Sequence, residues 1–255
     1  MYNLEVLNEY RTLIQKLRKK EAFAFAHFND GEMQYILEKN KVTISRGAQK
    51  YTAELAKHLK RVFLINNAKF YKGIPCESCF KEMKKESIEL LRHTEDPLPP
   101  HHPTTHQKVN ACIFHHNYVE RRHELFMEMQ KYKTQTWIIS TEFNIEKVIN
   151  TLGLMDTKIR QHRLPVNNAY ETYLKFKKEY EEIKYEKNEL VILLCGPVGR
   201  IIAGEGIVNN PETTFLCLGS YFDYLSSGIN HIYFKNNRLC EECCPPCDSI
   251  LRHWY

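Results

Sequence analysis

The sequence predicts an α/β fold: a doubly wound, mostly parallel sheet with helices on both faces. Three observations point to it. Leu190-Val-Ile-Leu-Leu-Cys195 is an unbroken apolar run, the pattern of a central parallel strand covered on both sides. Strand-like and amphipathic segments alternate along most of the chain. Two strand-like runs end in glycine turns, Asn29-Asp-Gly-Glu32 and Gly196-Pro-Val-Gly-Arg200, and ligands in open α/β sheets bind beyond such strand ends.

In order, Leu4, Leu7, Tyr10, Ile14 and Leu17 recur at helical spacing. Ala22-Phe-Ala-Phe-Ala-His-Phe28 reads as a buried strand, followed by a helix over Met33 to Lys39 and a short strand at Val42-Thr-Ile44. Tyr51 to Leu64 is an amphipathic helix with Leu55, Leu59, Val62 and Phe63 on one face. Lys69 to Ile74 reads as a strand and Lys81 to His93 as a helix. The four prolines between Glu95 and Thr105 make that stretch a loop, a candidate acceptor-side lid. Then follow a strand (Val109 to Phe114), a helix (Tyr118 to Tyr132), a strand (Thr136 to Ser140) and a helix (Ile145 to Leu152). Tyr170 to Lys187 reads as one charged surface helix with Tyr173, Leu174, Tyr180 and Ile183 inward. The apolar strand, its glycine turn, a helix and the strand Thr214 to Leu218 complete the set.

The 255 residues suffice for a single sizeable core, and 43 % hydrophobic with 12 % aromatic residues describes a folded chain. The net charge of +5 is spread among glutamates along helices, which argues against a compact nucleic-acid face. Its densest run, Lys16-Leu-Arg-Lys-Lys20, reads as a solvated helix face. No stretch has the length and apolarity of a membrane span, and the N-terminus lacks a signal-peptide pattern. Nine cysteines, an odd number, without an export signal point to reduced thiols and a cytoplasmic location.

Asp30 and Glu32 flank one glycine. Two chemistries share this pattern. Asp30 as a helix N-cap with Glu32 as a first-turn acid is the commoner one. Two hard oxygen donors on a turn, both within reach of one Mg²⁺ or Mn²⁺, is the other. Gly196-Pro-Val-Gly-Arg200 likewise divides between a phosphate-binding strand–turn–helix, with Arg200 adding a charged contact, and a plain structural corner with proline at the first helical turn.

Beyond the main body, Cys240-Glu-Glu-Cys243-Cys244-Pro-Pro-Cys247 holds overlapping C-x-x-C pairs, and Cys76-Glu-Ser-Cys79 holds another. Two such pairs brought together form a structural Zn²⁺ site; free thiols are the alternative. Cys112, Cys195 and Cys217 fall on strand-like segments and read as small core residues.

Taken together the chain resembles the GT-D type glycosyltransferases, Rossmann-like sugar transferases marked by an Arg-aromatic-Gly-Asp-Gly-Glu turn. Here that turn reads His27-Phe-Asn-Asp-Gly-Glu32, with His27 for arginine and Asn29 for glycine. Pro165-Val-Asn-Asn-Ala-Tyr170, Leu193-Leu-Cys-Gly-Pro197 and Leu218-Gly-Ser-Tyr-Phe-Asp223 are similar to the family's later landmarks, in the same order.

The resemblance implies a transferase domain over residues 1–235; the last twenty residues, 236–255, differ in composition and read as a Cys-rich tail packed on it. It implies a nucleotide-sugar donor, most simply UDP-linked, and a hydroxyl of a glycan or glycoconjugate as acceptor. Asp30 and Glu32 would hold the cation. His27, Asn29, Gly31, Gly196, Pro197, Gly199 and Arg200 would line the diphosphate, and Asn168 and Asp223 would face the sugar or ribose. The base is left open among Asp223, Glu142, His115 and His116. Replacing Asp30 or Glu32 is expected to abolish transfer and leave the fold stable. An inactive subunit of the same fold and a zinc-stapled basic binding module are the alternatives.

Overall fold

The computed structural model describes residues 4–28, 32, 35–36, 49–74, 107–114, 119–219, 221–222 and 225–226. Its elements run α1 (Leu4–Lys19), β1 (Ala24–His27), α2 (Ala53–Phe63), β2 (Phe70–Ile74) and β3 (Gln107–Asn110). After a 3₁₀ turn at Ala111–Phe114 come α3 (Val119–Met129), β4 (Thr134–Ser140), α4 (Ile145–Thr151) and β5 (Lys158–Leu164). The chain continues through α5 (Ala169–Lys175), α6 (Lys177–Glu181), β6 (Leu190–Leu194), α7 (Pro197–Asn209) and β7 (Thr214–Cys217). The strands form one sheet, ordered β3-β2-β1-β7-β6-β4-β5, in which every described pairing is parallel.

The helices divide between the faces as a uniform crossover hand requires. The β1-to-β2 and β6-to-β7 connections step the same way along the sheet, and α2 and α7 share a face; β4 to β5 steps the other way, and α4 lies opposite. One layer packs Leu13, Ile14 and Leu17 of α1, Leu125 and Met129 of α3 and Val148 of α4 on Phe25, Trp137, Ile139 and Ile192. The other packs Leu55 and Leu59 of α2, Tyr170 and Tyr173 of α5 and Ile201 of α7 on Ala24, Ala26, Ile138, Val191 and Phe215. The alanines of the Ala-Phe-Ala run explain the asymmetry: α7 lies against β1, and short side chains there admit it closely. Gly204 likewise lets α7 close on α2, since a Cβ there would run into Val62 Cγ1.

Local chemistry sets the helix ends. Thr52 caps α2 by accepting from the Leu55 N–H, and Asn144 caps α4 by accepting from the Lys147 N–H. Pro197 stands at the first turn of α7, where its missing N–H costs no hydrogen bond.

Two expectations need correction, and one strand, β5, had no sequence signal. Val109 to Phe114 is not one strand: β3 ends at Asn110, and the 3₁₀ turn carries Phe114 onto Phe25, centroids 4.9 Å apart, and Tyr10. Tyr170 to Lys187 is two short helices broken at Phe176, after which Tyr185 packs edge-on against Phe215. The edge strand β5 carries Lys158, Arg160, His162 and Arg163, and packs only Leu164 fully, so it lacks strand-like apolar alternation. The expected strand at 42–44, the helix at 81–93, the proline-rich loop and the Cys-rich tail lie outside the described residues, as do all six cysteines of the zinc expectation. Among the described residues no helix is long and apolar enough to cross a membrane.

Candidate functional site

The C-terminal ends of β1, β7 and β6 lie side by side, and the chain leaves them in opposite directions. Phe28, Tyr35 and Ile36 after β1, and α7 after β6, join one layer; Leu218, Tyr221 and Phe222 after β7 join the other. Chain divergence beyond the strand ends is the arrangement that receives ligands in doubly wound sheets.

His27 closes β1. Its Nδ1 lies 3.0 Å from the carbonyl oxygen of Cys217 on β7. A carbonyl only accepts, so Nδ1 carries the proton. Nε2 then accepts from Arg200 Nη2 at 2.7 Å. Both partners require the neutral Nδ1–H tautomer. Gly219, at φ +57°, keeps the ring seated: a Cβ there would stand 2.8 Å from His27 Cε1 and 2.9 Å from Nε2.

Arg200 sits in the first turns of α7 and is 4 % exposed. Its Nε donates to the His27 carbonyl at 2.9 Å and its Nη1 to the Gly196 carbonyl at 2.7 Å. Nη2 also pairs with Glu32 Oε1 at 3.1 Å. Burial opposes its charge, yet the Glu32 carboxylate holds the guanidinium above its ordinary pKa. The fork thus ties together the end of β1, the turn before α7 and the acid corner.

Gly196 adopts φ 58°, ψ −144°, a backbone open to glycine alone, and among the described residues a Cβ built there meets nothing within 4 Å. Gly196 is exposed, and the start of α7 presents the positive end of its helix dipole there. Gly199 lies one turn in, against the sheet: a Cβ there would meet Cys217 Sγ at 2.9 Å and Cys195 Sγ at 3.5 Å. Burial raises the pKa of both thiols, and they are free.

The structure thus brings together His27, Glu32, Gly196, Pro197, Gly199 and Arg200. Asn29, Asp30, Gly31 and Asp223 lie outside the described residues, as do His115 and His116; Glu142 is exposed after β4. Asn168, at φ 54° before α5, accepts from the Lys50 N–H through Oδ1 at 3.2 Å. Beside it Gln49, absent from the sequence-based set, accepts from the Tyr170 N–H and, through its carbonyl, from Tyr35 Oη. Gln49 stands in a loop with no pattern of its own, so only the folded contacts expose it.

Glu32 suits a hard divalent cation by donor chemistry. Its carboxylate oxygens are hard donors, and Oε1 accepts from Arg200. Glu32 alone is not a site, however, and the other donor of the expected pair is Asp30. Among the described residues no group of three or more His, Cys, Asp or Glu side chains could hold a metal. The ion pair also corrects the expectation that Glu32 is structurally dispensable, because its loss would strand a buried guanidinium.

The family described as "Glycosyltransferase GT-D fold" matches residues 25–210, which span β1 through α7 and hold this whole cluster. A solved structure described as a new glycosyltransferase (DUF1792) from Streptococcus sanguinis is similar, with TM-score 0.59 and 16 % identity over 87 % of this chain and 85 % of that one. Another, described as the highly conserved domain of unknown function 1792 with a distinct glycosyltransferase fold, aligns with TM-score 0.54 and 18 % identity over 88 % and 80 %. No curated protein matches this chain significantly. With the family match covering most of its length, the chain belongs to the GT-D glycosyltransferase fold family.

Proposed function

We propose that the protein transfers a sugar from a nucleotide-sugar donor, a UDP-sugar, to a hydroxyl of a glycan or glycoconjugate, with Mn²⁺ or Mg²⁺ as cofactor. The observation that carries this reading is that Arg200 joins Glu32 to Gly196 at the exposed start of α7. Each suits part of a sugar diphosphate.

The amides and dipole at the start of α7 would bind the diphosphate, with Gly196 leaving its oxygens room. Asp30 and Glu32 would hold the cation, which when bound supplies charge neutralisation for the departing nucleoside diphosphate. Arg200 orients Glu32 from below and holds the two strand ends in register. His27 keeps its proton on Nδ1 toward Cys217 and serves as part of this scaffold. Asn168 would bind the sugar or ribose from the head of α5, and the acceptor's proton would go to Asp223, Glu142, His115 or His116.

A thermal-shift panel of UDP-, GDP- and CMP-sugars, with and without Mn²⁺, tests the reading. Stabilisation by UDP-sugars that requires the ion supports it. Stabilisation by another class replaces UDP, and no response to any of them overturns the proposal in favour of an inactive member of the fold.

A further inference from the structure

We infer that the edge of the sheet opposite the candidate site is a docking face for an anionic phospholipid bilayer, which the protein meets with its strand-end corner turned away. The inference goes beyond the transfer reading and does not depend on it.

Five large apolar side chains stand exposed among the described residues. Four of them share one edge. Leu64 is the C-cap of α2, Met127 and Val208 stand in the last turns of α3 and α7, and Met155 lies in the turn between α4 and β5. In a parallel sheet the crossover helices run back to the strand starts, so these positions gather at the N-terminal edge. Leu64 is 48 %, Met127 45 %, Val208 51 % and Met155 68 % exposed. The fifth, Phe176, has Lys175 Nζ over its ring. Single exposed apolar residues are ordinary, and it is their gathering at one edge that calls for a partner.

The same connections carry cations. Lys20, before β1, lies over the Tyr132 ring, 5.7 Å from its centroid, and Lys69, before β2, donates to the Pro211 carbonyl at 2.8 Å. Lys133, before β4, is exposed. None of the three meets a carboxylate among the described residues. Backbone contacts join these connections into one surface. The Ala24 N–H donates to the Lys69 carbonyl and the Lys158 N–H to the Lys133 carbonyl. Apolar side chains interleaved with lysines match the headgroup boundary of an anionic membrane: the amines meet the lipid phosphates while the apolar groups enter between them. Strands of four to seven residues hold the candidate site roughly 13–23 Å from this face.

The experiment is co-sedimentation of the full chain with phosphatidylcholine vesicles, with and without about one-third phosphatidylserine, at low and high salt. Binding should be about tenfold tighter or more to the anionic vesicles and should be lost at high salt. Lys69→Gln and Lys133→Gln should each weaken it about fivefold. Leu64→Ser combined with Val208→Ser should weaken it about tenfold. Lys147→Gln, at the far end of α4, should leave it unchanged. No binding to anionic vesicles at low salt, or equal binding to both compositions, overturns the inference. So does wild-type binding by a folded Leu64→Ser, Val208→Ser protein; if that variant fails to fold, the lipid comparison and the lysine variants decide. A dimer in sedimentation velocity that dissociates on the apolar substitutions gives the face to a second copy of the chain and also overturns it.

Discussion

Glu32 and Arg200 form a buried ion pair, Oε1 to Nη2 at 3.1 Å, with their side chains 8 % and 5 % exposed. The pair joins the turn after β1 to the helix after β6, so it couples the two motifs most prominent in the sequence. Arg200→Met would remove the guanidinium that pairs with the buried Glu32 carboxylate, and the donors to the His27 and Gly196 carbonyls. The expected loss is about 3–5 kcal/mol, read from urea unfolding. Adding Glu32→Gln to Arg200→Met should recover part of that stability, since the buried negative charge is then removed along with its positive partner, while transfer stays abolished. A loss below about 1 kcal/mol for Arg200→Met would place the pair in solvent.

Gly219 meets the His27 ring more closely than any side chain could. Gly219→Ala combines the cost of φ +57° for a residue with a Cβ and a 2.8 Å contact to the imidazole. We expect about 2–3 kcal/mol of destabilisation in chemical unfolding, with a fall in transfer as His27 and Arg200 shift. Wild-type stability and turnover in this variant would show that the ring is not packed there.

Glu205 of α7 is the acid of a second, partly buried network. It accepts from His58 Nε2 at 2.8 Å, Arg61 Nη2 at 2.7 Å and Tyr173 Oη at 3.1 Å. Burial works against its charge, but the His58 hydrogen bond and neighbouring cations outweigh it and bring its pKa down to about 2. A carboxylate depressed from its ordinary 4.5 contributes stability that is complete above pH 4.5 and is lost as pH falls toward 2. Unfolding free energy should drop by about 2 kcal/mol more across that window in the wild type than in Glu205→Gln. Parallel pH profiles for the two proteins would contradict this.

Cys195 and Cys217 should resist alkylation in the native protein. Burial raises both thiol pKa values, and the thiolate is the reactive form. Peptide mapping after iodoacetamide treatment should find both labelled only after unfolding. Rapid native labelling of either would mean that the floor beneath Gly199 opens.

Much of the architecture was legible without coordinates. Where burial imposes a period, the sequence displays it: α1, α2, β4, β6 and α7 stand close to their expected places because each presents an apolar face or run to a layer. β5 was invisible for the converse reason, since an edge strand with charged side chains has no apolar period to show. The 3₁₀ turn at Ala111–Phe114 is equally apolar as strand or turn, and contact with Tyr10 and Phe25 selects the turn.

For the site, the sequence by itself determined which residue types stand at the two strand ends: acids around Gly31, and glycines with an arginine around Pro197. Tertiary structure alone decided what Arg200 does. Its partners are 173 residues away at His27, and at Glu32, across a strand order that places β7 between β1 and β6. Parallel crossovers bring such distant turns to one edge of the sheet, and side-chain partnership across them follows from geometry that no local pattern encodes.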